Sequence, residues 1–487
     1  MRHANRFHAL LLALSIAPGT SQAQERTLQG TQEAKKQPGL VVERAPRELA
    51  AGAVVRDWPS FRGPRRDGVC SEAPLAAKFG AEGPPLVWAM ERGQGFASPA
   101  VGEGRLVFTH REGDQAHVDS LDPATGRRHW RQSIPCTYSG RYFSNGGPRA
   151  TPTIADGKVV VQDVGGVLAC FDLATGEPLW QLDTVEGMGA REGFFGVVST
   201  PLVVGDAVIQ NVGAAGGPTV AAFDLATGEP RWGAGETWGA SCASPVLARL
   251  AGEDRILVMT GGVSRPPTGG LVIVSPDGEL TFEYPFRSRT YESVNGSSPV
   301  ACGDTVFLTS SYGVGAAAID VDAKGGGTER WKDRRGLALE FSTPVFVDGL
   351  VFAIDGVSGR GGAILAIDPA TGEERARRPF SFEQVLGSGE GARRVDAGVG
   401  KGSLVHADGH FWILGDTGQL VVVRFDGESF EIVSQAPLFF AQQTWTPPVI
   451  SGGLLYVCQN NRSRGDGAPA RLLCYDVRGA SPAKGDR

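Results

Sequence analysis

A short segment recurs along the chain and restricts its fold more than any other feature. The segment is a serine or threonine, usually followed by proline, and then apolar residues. Its copies begin at residues 98, 151, 200, 244, 298, 343, 403 and 446, and the copy at Ser403 lacks the proline. The eight starts are about 50 residues apart on average, a spacing typical of propeller blades and other repeat proteins.

Each repeat contains further apolar runs that are too short for helices. In one repeat these runs are Lys158 to Val161 and Val167 to Phe171, and both are short, apolar and bounded by turn residues. Glycine is also abundant, with 69 among 487 residues, as frequent tight turns require. We therefore predict an all-β chain of eight units with four strands each.

The turn after the third strand has a repeated signature, Asp-x-x-Thr-Gly with tryptophan eight residues after the aspartate. Three close copies begin at Asp122, Asp172 and Asp224, Asp320 with Trp331 is predicted to form a longer variant, and Asp368 begins a copy without tryptophan. A tryptophan on the fourth strand of many units is suited to packing between neighbouring sheets. We predict this blade-docking role for Trp88, Trp130, Trp180, Trp232 and Trp331.

The proline of the repeat indicates how the strands are arranged. Proline cannot donate a ladder hydrogen bond, so the strand that carries it is predicted to be an edge strand. In a propeller, the edges are the strand at the central channel and the strand at the rim. We place the Ser/Thr-Pro strand at the channel and the tryptophan strand at the rim.

The last repeat has no fourth strand, because only a polar tail follows Asp476. Residues 84–90 resemble a tryptophan strand and have no first three strands before them. We predict that this N-terminal strand closes the ring as the outer strand of the last blade, which removes open sheet edges.

The two chain ends have different compositions from the repeats. Residues 1–23 have a basic start, a short apolar run and small residues before Ala23, which predicts a signal peptide and an exported, periplasmic or extracellular protein. Residues 24–56 are predicted to be a flexible leader, 57–478 a single propeller, and 479–487 a polar tail. No later apolar run is long enough to span a membrane. The net charge of −6 predicts no nucleic-acid binding.

The repeated turn, the eight units and the leading segment Asp57 to Pro64 resemble the pyrroloquinoline quinone (PQQ)-like repeat propellers, within the quinoprotein alcohol dehydrogenase-like superfamily. The resemblance implies an eight-bladed β-propeller. The family includes quinoprotein alcohol dehydrogenases, outer-membrane assembly lipoproteins and exported proteins without known chemistry. The sequence lacks the adjacent cysteine pair typical of the dehydrogenases, and it lacks the acylated N-terminal cysteine of the lipoproteins.

The loops that lead into the channel strands predict a binding site at one face of the ring. Aromatic residues with a few polar groups at a concave mouth suit a flat ligand or a peptide. The alternative is that the aromatic residues fill the channel and Arg149 binds loop carbonyls. The candidate residues are Phe96, Asn145, Arg149, Phe195, Trp238, Asn295, Phe341, Lys401 and Trp445.

If the protein is an enzyme, residues of the same loops have other predicted roles. Glu292 and Asp396 are candidate carboxylate bases, and Arg149 and Lys401 are candidate ligands for the oxygens of PQQ held with calcium. No zinc, phosphate-loop or serine-hydrolase motif is present, and the histidines lack metal-ligand spacing.

The seven cysteines cannot all be paired. Cys458 and Cys474 lie on neighbouring predicted strands, where they form either a cross-strand disulfide or two buried thiols.

We therefore predict a monomeric binding or scaffolding module that is not an enzyme and uses no cofactor or metal. Its expected partner is an envelope protein or a small ligand at the propeller face. The alternative is a PQQ- and calcium-dependent dehydrogenase.

Overall fold

The computed structural model describes residues 37, 39–140, 145–236, 238–386 and 392–480, and they form eight sheets that each contain four antiparallel strands, and two of these sheets are extended by a fifth strand. The sheets follow one another around a ring, which confirms the predicted eight-bladed β-propeller. The predicted signal peptide, residues 1–23, lies outside the described residues, as do residues 481–487 of the predicted tail.

Three strands precede the first complete blade: β1 (Leu40–Val42), β2 (Val69–Cys70) and β3 (Leu86–Glu91). Blade 1 contains β4 (Ala100–Gly102), β5 (Arg105–Glu112), β6 (Gln115–Leu121) and β7 (Arg128–Pro135). Blade 2 contains β8 (Thr153–Ala155), β9 (Lys158–Gln162), β10 (Val167–Asp172) and β11 (Pro178–Asp183), and a short helix α1 (Thr184–Met188) follows it. Blade 3 contains β12 (Leu202–Val204), β13 (Ala207–Asn211), β14 (Val220–Asp224) and β15 (Pro230–Ala234). Blade 4 contains β16 (Val246–Leu250), β17 (Glu253–Met259), β18 (Gly270–Val274) and β19 (Leu280–Pro285).

The second half of the ring repeats this plan. Blade 5 contains β20 (Val300–Cys302), β21 (Thr305–Ser310), β22 (Gly315–Val321) and β23 (Gly327–Asp333). Blade 6 contains β24 (Val345–Val347), β25 (Leu350–Val357), β26 (Arg360–Ile367) and β27 (Glu374–Pro379). The hairpin of β28 (Phe382–Leu386) and β29 (Arg393–Ala397) follows, within a segment that the sequence predicts as a loop. Blade 7 contains β30 (Ser403–Ala407), β31 (His410–Leu414), β32 (Gln419–Phe425) and β33 (Phe430–Pro437). Blade 8 contains β34 (Val449–Ser451), β35 (Leu454–Gln459) and β36 (Arg471–Asp476).

The N-terminal strand closes the ring as the sequence predicts. Strand β3 pairs antiparallel with β36 and supplies the fourth strand of blade 8, with Trp88 opposite Cys474. It is not the outermost strand, however, because β1 pairs with its free edge and places Val42 opposite Trp88. Part of the segment predicted as a leader therefore extends this blade to five strands.

A β-bulge interrupts the pairing of the third and fourth strands in every blade. It lies next to the position on the fourth strand that tryptophan most often occupies. In blade 2, for example, Cys170 lies opposite Trp180, and the register shifts before the next pair. A bulge increases local twist and changes the direction of the side chain next to it. The corresponding shifts lie at Ser120/Leu121, Ala222/Phe223, Ile273/Val274, Ala318/Ile319, Ala366/Ile367, Val422/Val423 and Leu86/Trp88.

The tryptophans at this position contact the next blade. Each indole Nε1–H donates a hydrogen bond to a carbonyl oxygen in the aspartate turn of that blade. The pairs are Trp88 with Pro123 (3.0 Å), Trp130 with Leu173 (2.9 Å), Trp180 with Leu225 (2.9 Å), Trp232 with Pro276 (3.2 Å) and Trp331 with Pro369 (2.9 Å).

The glycine of the turn lies directly against the indole ring. Gly176 has φ +78°, and a β-carbon at this position would lie 2.5 Å from Cδ2 of Trp130. The glycine is therefore required both for the turn conformation and for the approach of the ring. In blade 4 the ring is Phe282, which packs against Gly327, the first residue of β23 in blade 5, rather than against the turn glycine.

The predicted role of Asp320 in the blade 5 turn is wrong. The turn is built on Asp322, whose Oδ1 accepts a hydrogen bond from the Lys324 N–H (2.8 Å). Asp320 lies on β22 and pairs with Arg330 instead. One extra residue separates Asp322 from Trp331 compared with the regular copies, and this insertion concealed the shift in the sequence.

All seven cysteines are free thiols, and six are buried. Cys458 lies opposite Leu472 and Cys474 lies opposite Tyr456 in the ladder of β35 and β36, so the two thiols are not directly across from each other. Of the two alternatives for this pair, the structure has the buried thiols.

Candidate functional site

The serine or threonine that begins each repeat links neighbouring blades around the channel. Its backbone N–H donates to the hydroxyl oxygen of the equivalent residue in the next blade. Four consecutive links connect Thr151 to Thr200 (3.0 Å), Thr200 to Ser244 (3.0 Å), Ser244 to Ser298 (3.1 Å) and Ser298 to Thr343 (3.0 Å). Such hydrogen bonds satisfy edge-strand donors that would otherwise be buried without a partner.

Residues 57–72, which we call the channel segment, cross the centre of the ring. Trp58 exchanges two backbone hydrogen bonds with Val101 of blade 1, and Pro59 accepts one from Ile154 of blade 2. At its other end β2 pairs in parallel with β30 of blade 7, with Val69 opposite His406. The segment thus connects inner strands from distant parts of the ring.

Two buried arginines of the channel segment fill the channel. The Arg66 guanidinium donates to the carbonyl oxygens of Thr200 (3.1 Å), Pro245 (3.0 Å) and Pro201. The Arg62 guanidinium donates to the carbonyls of Thr343 and Pro344 on the opposite side. Burial lowers the pKa of Arg66 to about 9 and that of Arg62 to about 10. The channel is therefore closed by cations that bind the carbonyl oxygens of the inner strands.

The mouth face, where each fourth strand leads into the next blade, gathers five of the predicted site residues. We call Phe96, Arg149, Phe341, Lys401 and Trp445 the mouth cluster. The ring of Trp445 stacks on Phe96 with centroids 5.5 Å apart and is tilted against Phe341 at 5.1 Å. All three rings are partly exposed. They form an accessible aromatic surface next to the closed channel.

The two cations of the mouth cluster flank this aromatic surface. The Arg149 guanidinium lies 5.4 Å from the centroid of Phe96, and the Lys401 ammonium lies 5.4 Å from that of Phe341. Both positions allow cation–π attraction. Arg149 also donates to the carbonyls of Gly147 (2.7 Å) and Asn145 (2.8 Å), as the alternative interpretation of this residue expects.

Asn145 borders the mouth cluster through the carbonyl that binds Arg149, whereas the other three predicted site residues lie apart from the cluster. Asn295 is buried, and its amide donates to the carbonyls of Thr260 and Phe286, so it fastens the blade 4 loop. Trp238 packs against the core between blades 3 and 4. Phe195 is half-buried in the loop between blades 2 and 3.

A cleft of about 570 Å³ opens beside Phe341 and Lys401, between blades 5, 6 and 7. Its wall includes Glu340, which forms an ion pair with Lys401. Sequence reasoning missed Glu340, although it directly precedes Phe341 in a loop already assigned to the mouth. The cleft combines an aromatic ring, an ion pair and glycine backbone, and its size suits a small ligand or a peptide side chain.

Two of the residues predicted for a PQQ and calcium site have other partners in the structure. Calcium takes six to eight oxygen ligands, yet the described residues contain no group of three or more carboxylate, histidine or cysteine side chains placed to hold a metal. Asp396 lies on the β28–β29 hairpin opposite Glu383. Lys401 is paired with Glu340, and Arg149 is bound to loop carbonyls, so neither predicted quinone ligand is free.

Two histidines of blade 1 have structural partners. His110 is buried in blade 1, accepts a hydrogen bond from the Gly93 N–H and lies 3.1 Å from a carboxylate oxygen of Asp119. Burial lowers the pKa of His110 in spite of Asp119, so the ring is held neutral. His117 contacts the Ser133 hydroxyl at 2.8 Å.

No helix in the described part of the chain is long and apolar enough to cross a membrane.

The geometry defines a PQQ-like repeat propeller with a closed channel and an aromatic mouth. The family model described as outer membrane protein assembly factor BamB matches residues 79–234, 114–378 and 216–482. Since these matches together cover most of the chain, the protein belongs to this family. None of the curated proteins matches the chain.

Solved structures with the same fold come from enzymes and from BamB. A europium-containing methanol dehydrogenase aligns with TM-score 0.59 and 12% identity over 86% of this chain and 98% of its own. A quinohemoprotein alcohol dehydrogenase of Pseudomonas putida HK5 gives TM-score 0.55 and 14% identity, over 88% of this chain and 81% of its own. BamB of Moraxella catarrhalis gives TM-score 0.52 and 15% identity, over 81% of this chain and 100% of its own. At these identities the likeness concerns the fold alone.

Proposed function

We propose that the protein is a non-catalytic binding module that holds a partner protein at its mouth face. The observation that carries this proposal is the mouth cluster, in which three partly exposed aromatic rings flanked by Arg149 and Lys401 stand next to an open cleft. Aromatic residues and arginine are enriched at protein interfaces, where the rings add contact area and the cation adds directed hydrogen bonds.

The filled channel supports a binding role over catalysis. The channel segment brings Arg62 and Arg66 among the inner strands, where they bind backbone carbonyls. The chain belongs to the family whose model is described as outer membrane protein assembly factor BamB, and this membership agrees with a scaffold role. We also propose that the chain is exported, on the strength of the signal-like residues 1–23.

The test compares capture of a partner by three forms of the full chain. The double variant W445A/F341S removes two rings of the mouth cluster, and the matched control L179S removes an exposed apolar side chain from the rim of blade 2. Cross-linking and pull-down from the envelope fraction of the native organism should recover the same partner with the unchanged protein and with L179S. The double variant should lose it. Equal capture by all three forms would contradict a site at the mouth.

Titration with PQQ and calcium, followed by absorbance and fluorescence, addresses the enzyme alternative. The proposal expects no saturable binding and no substrate-dependent dye reduction. Saturable binding with dye reduction would replace the binding module with a dehydrogenase.

A further inference from the structure

A second cavity on the mouth face lies between blades 4 and 5 and has a volume of about 470 Å³. Four cationic side chains line it, and no carboxylate does. Its cations are Arg287 and Arg289 from the loop after β19, and Lys332 and Arg334 from the end of β23. The hydroxyls of Ser288 and Thr290 also lie in its wall. The loop and the strand come from adjacent blades, so only the fold brings these charges together.

The four cations lack the ion pairs that other arginines on the ring form. Within the described residues, none of the four lies within 4 Å of a carboxylate oxygen. On the same strand Arg330 pairs with Asp320 at 2.8 Å, and in blade 3 Arg231 pairs with both Asp206 and Asp224. The whole chain carries a net charge of −6, so a cavity with four positive charges and no ion pair differs strongly from the average charge of the protein.

Two of these cations are held in place. Arg287 donates to the Thr268 carbonyl (3.1 Å) and the Ser264 hydroxyl (3.2 Å), which fixes its charge at the cavity wall. The Lys332 ammonium lies 5.2 Å from the ring centroids of both Tyr284 and Phe286. Burial lowers the pKa of Lys332 in spite of Glu329 nearby.

The other two cations have free donors. The guanidinium groups of Arg289 and Arg334 are exposed, and neither has a hydrogen-bond partner among the described residues. A planar guanidinium offers paired N–H donors that match phosphoryl and carboxylate oxygens. The cavity therefore combines fixed positive charge with unused donors, and its volume is in the range of small-molecule sites.

We propose that this cavity binds an anion with two or more negative charges, of the phosphoryl type, independently of the mouth cluster. The anion is either a free phosphorylated molecule or the phosphate of a lipid headgroup. The shared chemistry is a compact, multiply charged oxyanion that accepts hydrogen bonds from Arg289 and Arg334 beside the charges of Arg287 and Lys332.

The test is calorimetric titration of the full chain with inorganic pyrophosphate, alone and with added salt. We expect saturable binding that weakens as salt rises, because the interaction is electrostatic. The double variant K332Q/R334Q should weaken binding at least tenfold. The matched control R330Q removes a charge of the same strand that is paired with Asp320 outside the cavity, and it should bind as the unchanged protein does.

Further measurements distinguish a lipid headgroup from a free phosphate as the source of the anion. Acetate at equal ionic strength should give no saturable binding. Sedimentation with vesicles that contain phosphatidic acid, whose phosphomonoester carries up to two charges, assigns the site to a lipid headgroup if it is lost in K332Q/R334Q, whereas pyrophosphate binding without sedimentation assigns it to a free phosphate. If the double variant does not fold, R289Q replaces it, because that side chain is exposed on a loop. Absence of pyrophosphate binding, or equal binding by the cavity variants, would overturn the proposal.

Discussion

At the scale of single residues, the contact between turn glycine and indole ring explains why the repeated signature contains both. The aspartate accepts the turn N–H groups, as in Asp172 with Thr175 (2.8 Å), and the glycine then brings the turn under the tryptophan of the preceding blade. Each copy of the signature therefore specifies a turn within one blade and a contact between two blades. The residues of the signature cooperate across a blade boundary rather than within one hairpin.

We expect Gly176→Ala to destabilise the protein more than Gly157→Ala in the same blade. Both glycines have left-handed backbone, φ +78° and φ +68°, so both variants carry a cost of about 1–2 kcal/mol from the conformation. Only at Gly176 would the new methyl group meet an indole ring, which adds about 1–3 kcal/mol through overpacking. The midpoint of urea unfolding measures the difference. Equal midpoints would mean that the ring moves aside without cost.

At the scale of elements, blade 8 depends on strands from both ends of the chain. Strand β3 is enclosed by β36 on one side and β1 on the other, and Val87 and Trp88 are fully buried. Strand β1 is more peripheral, because Val41 and Val42 are about half exposed. The two N-terminal strands therefore contribute unequally to ring closure.

Replacing residues 84–90 with a glycine–serine sequence of equal length should lower the cooperative unfolding temperature markedly. Loss of the buried Trp88 alone costs about 3–5 kcal/mol, and the edge of β36 would also be left open. The same replacement over residues 40–42 should have a much smaller effect, and differential scanning calorimetry compares the two. An unchanged melt of the first variant would refute ring closure by β3.

The repeats explain why the elements could be predicted and the site only in part. The number of blades, the channel strand and the closing strand all follow from patterns that recur. The channel segment does not recur, and three of the partners of Arg66 are backbone carbonyls, which no residue type encodes. Likewise Lys332 and Arg287 are 45 positions apart in the sequence and meet only because blades 4 and 5 are neighbours.

At the scale of the whole molecule, the channel segment joins blades that otherwise touch only their neighbours. Arg66 binds blades 3 and 4, and Arg62 binds blade 6. Glu72 adds blade 8, because its carboxylate accepts the N–H groups of Gly452 (2.6 Å) and Gly453 (2.9 Å). A repeat protein with contacts of this kind should unfold as a unit rather than blade by blade.

We expect Arg66→Met to reduce the stability of the entire ring. It leaves the carbonyls of Thr200 and Pro245 buried without this donor, at about 1–3 kcal/mol for each unsatisfied group, whereas the Pro201 carbonyl still accepts from the Thr153 hydroxyl (2.7 Å). The control Arg65→Met alters an exposed neighbour paired with Asp67 and should change the free energy of unfolding by less than about 0.5 kcal/mol. Chemical denaturation followed by tryptophan fluorescence measures both. A separate early transition in Arg66→Met would instead indicate that the segment only stabilises the inner strands locally.

The closure of blade 8 also has a consequence for the order of events during synthesis. Strand β3 is made before blades 1 to 7, and its partner β36 is made after these seven blades. Until β36 emerges, β3 and the channel segment lack some of their partners. The apolar and cationic side chains that are buried in the folded ring are exposed to solvent during this time. Pairing at such sequence separation is slow to form and leaves sheet edges exposed meanwhile. The nascent protein therefore carries β3 without its partner in blade 8 while those seven blades are made, which is the period in which it most needs protection from aggregation.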